Sequence, residues 1–357
     1  MHPRNLLISV SVALALGAAR PASAQDYKQH NLVSDGAIAA DLVDPDLVNA
    51  WGLAASATSP WWVADNGTGK STLYNGNTGA KAALVVSVPG APTGIVFNGG
   101  TGFAIPSHGT ARFIFDSEDG TISAWSGGTQ AFVVVNNSAS GAVYKGLAIA
   151  YTAAGGFLYA TNFHAGTVEM FDANFAPVAS TGFGDTSLPA GYAPFGIQNI
   201  NGVIYVTYAL QNAAAHDDVA GEGHGYVNAF DAAGNFLVRV ASRGELNSPW
   251  GLAIAPLNFG KFSGDLLVGN FGDGRIHAFD PGDIDKRGFE PRGSLRSTHG
   301  RPIEIDGLWG LAFGNGFSAG PTATLFFTAG PFDEQHGLFG TLVAVASPRH
   351  DDDDDDR

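Results

Sequence analysis

Asn162–Asp172 (NFHAGTVEMFD) and Asn270–Asp280 (NFGDGRIHAFD) align residue for residue without a gap. Each is a polar turn containing glycine, followed by a short β-favouring run, which is the signature of a hairpin and its return strand. Asp116–Trp125 (DSEDGTISAW) has the same shape, and Gly225–Asp231 (GYVNAFD) matches its second half. Recurrence at a long, fairly even period is the mark of a repeat architecture.

Working outward from these hairpins, a second motif recurs six times: Gly, then Leu or Ile, then an apolar run. The copies are Trp51-Gly52-Leu53, Thr93-Gly94-Ile95, Lys145-Gly146-Leu147, Phe195-Gly196-Ile197, Trp250-Gly251-Leu252 and Trp309-Gly310-Leu311. The glycines are spaced 42, 52, 50, 55 and 59 residues apart. Behind each copy comes a second β-favouring run: Trp61–Val63, Arg112–Phe115, Phe157–Ala160, Val203–Val206, Asp265–Val268 and Thr324–Phe327. A lone meander of this kind cannot bury both of its faces, whereas stacking six of them radially covers both and leaves only short edges. The expectation is an all-β, six-bladed β-propeller, with blades of about four antiparallel strands, over residues 25–348 as one domain. Closure of the ring predicts that Asn31-Leu32-Val33 completes the last sheet beside Thr341–Val345. The repeat glycines either let backbones crowd at the channel or serve as ordinary turn residues. The aromatic residues before them pack between blades, or in Trp51, Trp250 and Trp309 offer a sugar-stacking surface.

Composition agrees. Gly makes up 49 of 357 residues, charged residues are 14 % and hydrophobic residues 45 %. That is too apolar for disorder, too poor in charge for a coiled coil, and not periodic enough for collagen. There is no cysteine, so neither disulfide nor thiolate chemistry is available. A net charge of -15 opposes nucleic acid and anionic lipid as partners. Residues 1–24 read as a secretory signal: Arg4, an apolar run from Leu6 to Ala19, and cleavage after Ala22-Ser23-Ala24. This implies a secreted or periplasmic chain with no membrane span. The acidic tail at 349–357 reads as disordered. A monomer is expected.

Candidate site residues fall in the turns. Asp65, Asn66, Asp116, Asn162, His164, Asn270 and Asp273 follow second strands, so a ring gathers them near one face, although Asn and Asp are also ordinary turn formers. The insertion Gln211–Gly225 carries His216, Asp217, Asp218, Glu222 and His224, a set able to hold a divalent ion such as calcium or to be a polar loop. Asp306, Asp333, Glu334 and His336 belong to an irregular loop in the last repeat. A basic stretch, Pro281–Asp306, carries Lys286, Arg287, Arg292, Arg296 and Arg301. No nucleophile elbow, HExxH motif or phosphate loop appears.

The stretches Asn31–Asp35, Leu47–Leu53, Gly307–Gly316, Phe327–Pro331 and His336–Gly340 resemble an uncharacterised bacterial family of exported proteins, some with a PEP-CTERM sorting tail, which this chain lacks. The repeats are also similar to NHL-type blades. The first resemblance implies a six-bladed propeller and no particular activity. Analogy with gluconolactonase-like propellers implies a channel metal, with Asn162, Asn270 and Asp306 as its ligands. Three functions follow as expectations. The first is a binding module for a small molecule, glycan or protein, meeting its ligand at Asp65, Asp116, Asn162, His164, Asn270, Trp309 and His336. The second is a metal-dependent hydrolase or lactonase, and the third a structural envelope protein. The sequence favours a binder over an enzyme.

Overall fold

A computed structural model describes residues 26–179, 182–282 and 289–346. The signal segment, the acidic tail, and Lys286 and Arg287 of the basic stretch lie outside the described residues.

Six antiparallel sheets form six blades around an axis. Blade 1 runs outward through Ala50–Ala54, Trp61–Asp65, Lys70–Tyr74 and Val86–Ser87. The inner strands of blades 2 to 6 are Pro92–Phe97, Tyr144–Thr152, Tyr192–Ile200, Pro249–Ile254 and Leu308–Phe313. Blade 6 is closed by the start of the chain: Asp26–Ser34 pairs antiparallel with Leu338–Val345, with Asn31 opposite Gly340 and Val33 opposite Phe339. The predicted closure is therefore present, and it seals an edge that would otherwise expose unpaired backbone. Among the described residues, no helix is long and apolar enough to cross a membrane.

The core is divided among the gaps between blades. Trp62 of blade 1 stacks on Phe113 of blade 2 at 4.0 Å, and Leu147 and Phe171 of blade 3 pack on Ile114 and Ile122 of blade 2. Phe326 and Phe339 of blade 6 meet Trp61 and Val63 of blade 1. Each such side chain contributes roughly 1.5–3 kcal/mol when fully buried, and nearly all of that depends on the neighbouring blade.

Near the axis the inner strands are very close. None of the six repeat glycines has a positive φ, so turn geometry is not their reason. A methyl group added at Gly52 would lie 2.6 Å from the Thr93 carbonyl oxygen, and one at Gly310 would lie 2.8 Å from that of Trp51. Gly94, Gly196 and Gly251 face the next blade's backbone more tightly still. In every blade the pairing of the first two strands slips at this point, as between Pro194 and Ile197. In blades 2, 4 and 6 a side chain from the second strand takes up the glycine N–H. Gly196 N donates to Thr207 Oγ1 at 2.8 Å and Gly310 N to Thr328 Oγ1 at 2.9 Å. Thr328 in turn donates to the Trp51 carbonyl, so one hydroxyl serves both bonds, and Thr161 donates to the Phe195 carbonyl; both fasten one blade to the next.

Because no methyl fits against the Trp250 carbonyl, Gly196→Ala is expected to cost about 3 kcal/mol and Gly146→Ala about 1 kcal/mol, within the range for overpacked cores. Gly184→Ala, where an added methyl meets nothing, is expected to stay within about 0.5 kcal/mol. Denaturant unfolding of the three variants checks this order.

Candidate functional site

The residue before each repeat glycine opens the channel on the face where second strands turn into third strands. Four of these six residues are aromatic, one is Thr93 and one is Lys145. The aromatic members do not pack in the gaps between blades. They cross the axis and fill the channel mouth: Trp51 stacks on Trp309 at 3.5 Å, Trp250 meets both edge-on, and Phe271 stacks on the outer side of Trp309 at 4.0 Å. Trp309 is 1 % exposed, so it offers a ligand no free surface in this state.

Lys145 is the lone charge in that ring, and it is 2 % exposed. Its ammonium lies 5.3 Å from the centroid of Trp51, close enough for a cation–π contact. It is paired with Glu118, and with Asp217 at 3.3 Å. The other oxygen of Glu118 accepts from Asn66 Nδ2 at 2.9 Å. Asn49 Nδ2 donates to Asn66 Oδ1 at 3.0 Å and to Glu334 Oε2 at 2.7 Å, and Asn49 Oδ1 accepts from Trp309 Nε1 at 3.2 Å. One network thus joins turns or loops of blades 1, 2, 4 and 6 to the lysine of blade 3.

The backbone under Glu334 is unusual. Phe332, Asp333 and Glu334 have φ values of 56°, 52° and 64°, three consecutive non-glycine residues in the left-handed region. Each costs roughly 1–2 kcal/mol. The turn is held by Asp306 Oδ2, which accepts from Phe332 N at 2.8 Å, and it leaves Phe332 exposed while turning Glu334 inward. Burial pushes the Glu334 carboxyl up, and the nearby negative charges of Glu118 and Asp218 add to this. Burial also raises Asp218. Burial opposes ionisation of Asp217 too, but His216 and Lys145 outweigh it and hold that carboxyl below its usual range.

The sequence-derived candidates divide accordingly. Glu334, Asn66, His216 and Asp217 join the network, with His216 Nδ1 at 2.7 Å from Asp217 Oδ1. Asp218 stands beside it. Glu222 is exposed, and His224 Nδ1 bonds the Val219 carbonyl within its own loop. Asn162 Oδ1 accepts from Val143 N and Ala165 N while its amide donates to Glu169. Asn270 donates to the Glu245 carbonyl. Asn162, Asn270 and Asp306 each hold a separate turn, so the channel-metal set expected by analogy does not assemble from them. His164 is exposed, His336 bonds Asp35 at 2.6 Å, and Asp273 Oδ1 accepts from Arg275 N. Asp65 is fully buried at the end of its strand, and burial raises its carboxyl well above the usual range. Asp116 occupies the fastening position that Thr161, Thr207 and Thr328 fill in other blades, accepting from Thr93 Oγ1 at 2.9 Å and Gly94 N at 2.6 Å. In the basic stretch, Arg296 donates to the Gly300 carbonyl and Arg292 faces Asp265 and Asp280.

Asn49, Glu118 and Lys145 were not singled out from sequence. Lys145 had a signal, as the one charged residue in a column of aromatics and threonine. Glu118 had none, since it sits in an ordinary polar turn.

Glu118, His216 and Asp217 bring one donor atom each to within 4.8 Å of one another, a spacing that suits a divalent ion. The Lys145 ammonium already contacts two of the three.

No protein-family model matches the chain. It is 34 % identical over 339 residues to "Uncharacterized protein R648" of Acanthamoeba polyphaga mimivirus, covering 88 % of this chain and 80 % of that protein. It is 33 % identical over 337 residues to "Uncharacterized protein L690" of the same virus, covering 89 % and 86 %. Both of these relatives are viral, whereas the sequence resemblance pointed to exported bacterial proteins. Among solved structures, the soluble aldose sugar dehydrogenase of Escherichia coli superposes with a TM-score of 0.52 at 12 % identity, over 89 % of this chain and all of that one. At that identity the likeness extends to the fold alone.

Burial raises the Asp116 carboxyl to about 7, against the lowering effect of its bonds from Thr93 and Gly94. A carboxyl whose folded pKa exceeds its unfolded value favours the fold fully below about pH 4, and that contribution is lost as pH rises through 7. Asp116→Asn keeps the accepting oxygen and removes the titration. The stability of the variant relative to wild type is expected to rise by a few kcal/mol between pH 4 and pH 7.5, measured by urea unfolding at several pH values.

Proposed function

We propose that this chain, which belongs to the family of these two mimivirus proteins, is a β-propeller binding module that takes a small, positively charged ligand at the channel mouth beside Lys145. The observation that carries this reading is the local charge. Glu118, Glu334, Asp217 and Asp218 stand against a single ammonium, and two of them, Glu334 and Asp218, are made harder to ionise by their burial. A second cation relieves that imbalance. The strained turn supports the same reading, since left-handed non-glycine residues persist where the surrounding structure holds them for a purpose. Asp217 is the open end of the network, 59 % exposed and on the longer of the two lysine contacts, so a ligand enters there. Export through the N-terminal leader, action outside the cell and a monomeric state are part of the proposal.

The second reading is metal-assisted hydrolysis, favoured by the approach of Glu118, His216 and Asp217. There Glu118, His216 and Asp217 would hold a divalent ion, which would supply Lewis-acid polarisation of a substrate carbonyl.

Thermal melting with choline chloride, spermidine hydrochloride or calcium chloride, each against sodium chloride of equal ionic strength, and with glucose against buffer alone, separates the readings. An organic cation is expected to raise the melting temperature of wild type and to lose at least half of that effect in Glu118→Gln and Glu334→Gln. Glucose is expected to leave it unchanged. Because binding favours the ionised carboxylates, the affinity for the cation is expected to rise with pH as Glu334 and Asp218 lose their protons. An absent or variant-independent shift overturns the reading, and a calcium-specific shift lost in Glu118→Gln moves the assignment to the metal.

A further inference from the structure

We propose that the opposite mouth of the channel is a second, independent ligand site, for a small uncharged molecule that is mostly apolar and carries one hydrogen-bonding group. The inner strands of five blades end there around a cavity of about 310 Å³, at the lower end of the size range of small-molecule pockets. Leu53, Phe97, Ile149 and Phe313 line it and remain half-buried, from blades 1, 2, 3 and 6. No lining side chain carries a charge, although the chain as a whole holds 33 acidic residues. A charged ligand would find no counter-ion there.

The cavity is a blind funnel. Leu53, Ile95 and Gln198 line both it and a neck of about 30 Å³ that runs along the axis between Gly52, Gly94 and Gly310 as far as Trp250. The tryptophans that close the charged mouth therefore stop this one from the other side. A blind space of this volume suits a compact molecule and excludes a polypeptide segment.

The polar groups of the lining select further. Asn199 is committed to the Ile149 carbonyl and Gly202 N, and Asn315 to the carbonyls of Ser56 and Ser59 and to Phe317 N and Ala319 N. One group remains. The Gln198 side chain is exposed and makes no hydrogen bond among the described residues. Its amide both donates and accepts, so it takes one polar group of a ligand. The indole N–H of Trp61 has no partner either, but burial shuts it off from the cavity.

Prodan, a neutral naphthyl ketone whose emission reports polarity, is the probe. Wild type is expected to bind it saturably, one per chain, with a blue shift. Gln198→Trp, at an exposed position, and Ala55→Trp, at a half-buried one on the edge of the core, fill the funnel from two blades. Both are expected to weaken binding at least tenfold with unchanged melting, and Gln198→Ala to weaken it several-fold. Glu334→Gln, in the network at the other mouth, is expected to bind prodan as wild type does, so failure of the charged site and failure of this one are read separately. Non-saturable binding to wild type, or wild-type affinity in both filled variants, overturns the proposal.

Discussion

The structure depends on how closely six backbones approach one axis. Each inner strand carries a glycine whose α-carbon faces the backbone of the next inner strand, and at Gly52 even a methyl would fall 2.6 Å from the neighbouring carbonyl oxygen. This closeness leaves room for only a narrow channel. A slip in strand pairing accompanies it beside each of these glycines. Thr207, Thr328 and, in blade 2, Asp116 take up a glycine N–H, and the Thr161 and Thr328 hydroxyls tie blade to blade. Cores between blades then supply the bulk of the burial, and they exist only because the ring is closed by Asp26–Ser34.

The same constraint builds the site. With the inner strands so near, the residue before each glycine reaches its counterparts across the axis, so that Trp51, Trp250 and Trp309 seal the channel instead of filling the gaps between blades. Placing one lysine in that column buries an ammonium among aromatic rings. Burying a charge is costly unless it is paired, and Glu118 and Asp217 pair it. Asn49 and Asn66 then fix Glu118 and Glu334 by hydrogen bonds, and the strained Phe332–Glu334 turn carries Glu334 into place. The seal also divides the channel into a charged mouth and an uncharged one.

Much of the fold was legible because repetition is visible in one dimension. The six glycines, the second strands and the closing segment Asn31–Val33 were all placed correctly from spacing and from the need to cover sheet edges. The site was only partly legible. Glu334 was noticed because its loop broke the repeat, and His216 and Asp217 because an insertion gathered charges. Asp116 takes up a backbone N–H and Asp65 is fully buried at the end of its strand, and in sequence an aspartate at a strand end looks the same whether it faces a ligand or the protein interior. Asn49 and Glu118 were missed because their partners lie in other blades: Asn49 meets Glu334, 285 residues away.

The sequence by itself determined the number of blades, the glycine column and the closure of the ring, because these follow from local periodicity and from hydrogen-bonding needs that each strand carries with it. Only the tertiary structure decided which polar residues share a site, that the tryptophans seal the channel, and that an uncharged funnel lies behind them. Those outcomes depend on distances across the axis between residues far apart in the chain, and no local pattern encodes such distances.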